Sequence, residues 1–140
     1  MDELRHEVET GTLSLALFAP RGVGPTGWTT EEKKRTQIRR RFMLLGQTLD
    51  GMRVWDIRRA LQAMRALKET KTKPLIVEAS GPMGVNALYA SLFEPGVRRL
   101  ELKLLPASHS EGPDYLNVLQ VLDIPEALQM AAERAEVKLQ

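Results

Sequence analysis

The chain has 140 residues, 43% hydrophobic and 27% charged, with a formal net charge of +2 at pH 7. That length suits one domain with a sizeable core, and the composition is that of a globular chain rather than a disordered or fibrous one. There is no cysteine and there are two histidines, His6 and His109. Disulfides, thiolate metal sites and cysteine nucleophiles are therefore excluded, and neither a metal centre nor a cofactor is expected.

No apolar run approaches the roughly 18 residues needed to span a bilayer, so no membrane partner is expected. The charged start, MDELRHEVETG, reads as one or two helical turns over residues 2–9 rather than a signal peptide, which leaves localisation open. TLSLALFAP, residues 12–20, is a short apolar stretch bounded by Gly11 and Pro20 and predicts a buried strand. The glycine-rich RGVGPTGWTT, 21–30, reads as a loop. Thr30 is the expected cap of a helix whose Ile38, Phe42 and Leu45 fall at helical spacing before Gly46. A longer amphipathic helix is predicted from Asp50 to Lys68.

LIVEA, 75–79, predicts a second strand, followed by a glycine-flanked turn and the helix VNALYASLF. VRRLELKLLP, 97–106, alternates Leu100, Leu102 and Leu104 with charged residues, the pattern of a third strand. A helix is expected from Pro113, and a last one from about Pro125 to Val137. Strands separated by helices imply a parallel sheet covered on both faces, hence a three-layer αβα domain with a short, mostly parallel sheet. Three strands make a thin sheet of that kind. Further strands are expected from a longer parent chain or a second copy.

The turn after the second strand has the layout of a nucleophile elbow. With Gly84 as the closing glycine, SGPMG places Ser80 at the first small position, Pro82 at the tip and Met83 after it. Proline carries no nucleophile. In the other register Ser80 is the nucleophile, but Glu78 then stands where a small residue belongs. The text also fits a plain strand-to-helix turn between Gly81 and Gly84.

LALFAPRGVG (15–24), the helix DGMRVWDIRRALQAM (50–64) and NALYASLFEPGVRRLEL (86–102) sit in an order that resembles the α/β-hydrolase superfamily. The likeness is to the prolyl-oligopeptidase and acetyl xylan esterase-like branch, including bacterial members with a degenerate elbow, and spans about residues 11–105. It implies an esterase-like fold whose nucleophile position is Pro82, hence a non-catalytic domain; the alternative is a serine esterase or peptidase acting through Ser80, with Ser91 as a poorer candidate. In this fold acid and then histidine follow the nucleophile. Here His109 precedes Asp114 and Asp123, which is the wrong order. His109 is expected to be a loop residue bonded to Ser108, Ser110 or Asp114, and Asp114 to charge a helix N-terminus. His6 reads as a surface residue, and Trp28 and Trp55 as core or interface fillers.

The basic run KKRTQIRRR, 33–41, offers a third reading, a basic binding module. Glu31 and Glu32 precede it and no set of aromatic residues accompanies it, so a solvated helix face is the simpler expectation and nucleic acid is not an expected partner.

Overall fold

A computed structural model describes residues 10–11 and 14–140. The expected turns at residues 2–9, His6 among them, lie outside the described residues. Helix α1 covers Glu32–Leu44 and α2 covers Leu49–Ala66. Strand β1, Leu75–Ser80, runs into α3, Gly81–Leu92, and then comes β2, Val97–Lys103. Helix α4, Ile124–Ala132, precedes β3, Glu136–Leu139. The sheet order is β1-β2-β3 and both pairings are parallel. This is the small layered α/β fold that the alternation of strands and helices implies.

Two right-handed crossovers stepping the same way across a sheet leave their helices on one face. The core is built accordingly: Val85 and Leu88 of α3 and Ile124 and Ala127 of α4 close over Leu100 and Leu102 of β2. Helix α3 is apolar around most of its circumference because it is squeezed between layers, with the sheet beneath it and α2 above. Helix α2 starts at Thr48, whose hydroxyl accepts the Gly51 amide at 2.9 Å. It is fastened to the far end of α3 by Arg58 and Gln62, which both donate to Glu94 Oε1 at 2.9 and 2.8 Å. Asp123 caps α4 and Glu126 closes the capping box.

The other face of the sheet carries charge. Register sets Glu78, Glu101 and Lys138 in one row, with Arg99 beside Glu136 in the next. Arg99 bonds Glu136 at 2.7 Å, and Lys103 pairs with Glu78 across the β1–β2 boundary. Ile76, on this face, is 47% exposed. A parallel sheet is usually covered on both faces; here helices cover one and ion pairs in solvent lace the other.

Four local expectations are corrected. Residues 14–20 form no strand, and 12–13 lie outside the described residues. A strand needs a neighbour to bond, and this segment is drawn elsewhere. Ser14 is bonded by Lys73, and Arg21 is clamped to Asp56 of α2 through Nε at 2.7 Å, Nη2 at 2.5 Å and its own amide at 3.1 Å. Leu15, Leu17 and Phe18 are left exposed. The expected helix from Pro113 shrinks to a 3-10 turn at Val118–Gln120, because Asn117 adopts a positive φ of 56° at its start. The last helix stops at Ala132 and the chain becomes β3, where Val137 joins the core beside Leu100. Finally, α1 begins after Glu31 rather than Thr30, and none of its residues is buried.

Candidate functional site

The turn that raised the elbow question is sharp. Ser80 ends β1 in extended conformation and α3 begins at the next residue, with φ of +56° at Gly81. That left-handed value favours glycine, so the special position of the turn is Gly81, not Pro82. Pro82 sits in the first helical turn, where a missing N–H costs nothing. Met83 accepts a contact from Asn86 at its sulfur, 3.5 Å away. Gly84 is buried, and a Cβ there would stand 2.6 Å from Leu105 Cδ2.

The structure does not bring Ser80, His109 and Asp114 together as a triad. Ser80 is exposed on the charged face of the sheet, opposite Lys103 in register. His109 is 7% exposed and lies against α3. Its Nδ1 is 3.1 Å from the Pro113 carbonyl, which can only accept, so Nδ1 carries the proton; Nε2 then accepts from the Tyr89 hydroxyl at 2.9 Å. Both ring nitrogens are thereby committed. Its backbone amide donates to Asp123 at 2.8 Å, and neither Ser108, Ser110 nor Asp114 is its ring partner. Ser91 is buried and donates to the Leu88 carbonyl at 2.6 Å. Asp114, with no helix to charge, pairs instead with Arg39.

Around His109 lies a buried polar network. Asn86, fully buried in α3, donates to Asp50 Oδ1 at 3.3 Å and accepts from the Tyr115 hydroxyl at 2.5 Å. Asp50 also accepts from Arg53 at 3.0 Å and from the Asp114 amide at 3.1 Å. Tyr89, His109 and Tyr115 pack as a ring cluster with centroids 4.9 to 5.5 Å apart. Burial, with the Asp123 and Glu126 charges nearby, pushes the Tyr89 phenol up to about 12, and burial drives Tyr115 higher. The Ser108 hydroxyl, then the His109 amide, hold the Asp123 carboxyl below its ordinary value. Nothing in the sequence singled out Asn86, Tyr89 or Tyr115: Asn86 and Tyr89 lie one helical turn apart inside an apolar helix, and Tyr115 follows 26 residues later, beyond β2.

Two members of this network, Asp50 and Arg53, line the floor of an open cleft of about 780 Å³. Its walls come from the 22–30 loop, the inner side of α1, the start of α2, Pro82 and the 110–114 loop. Its charged lining is Arg35, Arg39 and Arg53 with Asp50, Glu111 and Asp114. The side-chain bond to Asp114 holds the Arg39 guanidinium above its usual pKa. Trp28 lines the cleft, half exposed and stacked on Phe42 with centroids 6.2 Å apart; Trp55 is equally exposed and lies under Arg59. Neither tryptophan is a core filler. Among the described residues no group of three or more His, Asp or Glu could hold a metal ion, and no helix is long and apolar enough to cross a membrane.

No protein-family model, curated protein or solved structure matches this chain.

Proposed function

We propose that the chain is a non-catalytic, α/β-hydrolase-like domain whose strand-to-helix turn serves packing rather than chemistry. The observation that carries this reading is Gly81: an elbow displays its nucleophile at the strained tip of the turn, and here the positive φ falls on a residue with no side chain. The committed ring nitrogens of His109 support it, since a general base must have one nitrogen within reach of the proton it takes. The exposed apolar arm at Leu15, Leu17 and Phe18 is consistent with a domain completed by further polypeptide or by a second copy.

Turnover of p-nitrophenyl acetate tests it. The parent chain is expected to show no rate above buffer, and Ser80→Ala to change nothing. Activity in the parent that Ser80→Ala abolishes would overturn the reading and make Ser80 the nucleophile. Activity gained by Pro82→Ser but not Gly81→Ser would return the tip of the elbow to position 82.

A further inference from the structure

The cleft beneath α1 holds two arginines whose present partners are easily exchanged. Arg35, Ile38 and Arg39 share one side of α1 through the i, i+3, i+4 relation, and all three line the cleft. Among the described residues Arg39 spends only Nη2, on Asp114, although a guanidinium offers five N–H donors in a planar fork. That pair is 50% and 32% exposed at its two side chains, the regime in which an ion pair contributes little. Arg35 is held more loosely, 3.6 Å from Glu32 with both side chains more than half exposed.

The third arginine behaves differently. Arg53 is bound to Asp50 and donates from Nε to the Arg21 carbonyl at 3.1 Å, so it and Asp50 neutralise each other in the floor. The lining as a whole is balanced, Arg35, Arg39 and Arg53 against Asp50, Glu111 and Asp114, but α1 above it carries six basic residues against Glu32 and adds a positive field at the mouth. The volume falls in the range of small-molecule sites, and Pro82 places the cleft at the carboxyl end of β1, where open α/β sheets take ligands.

We propose that this cleft binds a small anionic molecule, whose phosphate or carboxylate group takes the place of the Asp114 and Glu32 carboxylates on Arg39 and Arg35. One carboxylate is traded for another anion on the same fork, so no charge is left buried and unpaired. Because α1 has no buried residue, it can follow the ligand without opening the core. Trp28 lines the same cleft and so reports on its occupancy. This inference does not depend on the hydrolase-like reading; an active serine enzyme would leave it standing.

The test titrates the full chain, carrying Trp55→Phe so that Trp28 is the sole tryptophan, at low salt with pyrophosphate and, separately, with citrate, following fluorescence and calorimetry. Saturable binding is expected with at least one probe, and which one binds tells phosphate from carboxylate. Arg39→Gln and Arg35→Gln should each weaken it roughly tenfold, the loss of one charge-assisted contact to an anion. Arg39→Lys, which keeps the charge but not the fork, should fall between. Arg40→Gln and Arg41→Gln, on the same helix but outside the cleft, should change it less than about twofold. Failure of both probes to saturate by about 10 mM, an affinity too weak for a built site, would overturn the proposal. So would equal losses from all four arginines, or tighter binding of a duplex oligonucleotide with that same even pattern, which would make α1 a general polyanion surface.

Discussion

The two halves of the chain use the same residue types to opposite ends. From Leu75 onward, apolar residues are sunk between α3, α4 and the sheet, and buried polar groups answer one another. Before Gly46, no Leu, Ile, Val, Met, Phe or Trp among the described residues is buried: Leu17 is 92% exposed and Leu44 85%. The first region is held to α2 and to the 110–114 loop by specific polar clamps, Arg21 on Asp56 and Arg39 on Asp114, rather than by burial of large apolar side chains. Stability should therefore reside in the second half and adaptability in the first.

The largest expected contrast comes from the core. Leu88→Ala removes a fully buried side chain from the centre of α3 and should cost about 2–5 kcal/mol in denaturant unfolding. A loss below about 1 kcal/mol, the level of an exposed site, would mean that α3 is not the keystone of the fold.

The polar network comes next. Asn86→Ala leaves Asp50 and the Tyr115 hydroxyl each short of a partner in a buried setting, at a cost of about 1–3 kcal/mol. The tyrosines add a pH signature. Their folded pKa values lie above the ordinary tyrosine value of about 10. The unfolded chain therefore loses these protons first, so this part of the stability is present below about pH 10 and lost as pH rises toward and beyond 12. Tyr89→Phe and Tyr115→Phe should each flatten the alkaline limb of a stability profile; an unchanged limb would show that the phenols are not the groups responsible.

The clamp on the arm is smaller. The Arg21 bonds hold the Asp56 carboxyl below its ordinary value, with Arg53 adding a little. A depressed acid contributes stability that is present above its unfolded pKa of about 4 and lost as pH falls through the folded value. Arg21→Ala should cost about 1 kcal/mol at neutral pH for a half-open pair and remove that acid dependence. It should also speed protease cleavage between residues 14 and 20.

Most of the second half was legible in the sequence because its pattern is local. LIVEA, the alternation in VRRLELK and the apolar stretch after Gly84 each carry their own periodicity, and each became the expected element. The arm was not legible for a physical reason. TLSLALFAP has the composition of a strand, but a strand is made by its neighbour, and the Arg21–Asp56 clamp takes the segment to α2 instead. The short β3 was hidden in the opposite way, since EVKL became a strand only because Leu100 and Leu102 offered it an edge. At the site, the glycines of the turn were visible but their roles were not: φ at Gly81 and the close approach of Gly84 to Leu105 are matters of backbone placement. The pairing of Arg39 with Asp114, 75 residues apart, had no signal in the chain at all.

The smallest predicted effects draw the comparison most sharply. Leu17→Ala and Leu44→Ala each delete as much hydrocarbon as Leu88→Ala, yet each should move unfolding by no more than about 0.5 kcal/mol, because solvent already surrounds those side chains. Identical chemistry would then have effects differing severalfold according to place alone. Should Leu17→Ala cost as much as a core truncation, the arm must be packed against something in solution. A dependence of that cost on protein concentration would identify a second copy as what covers it.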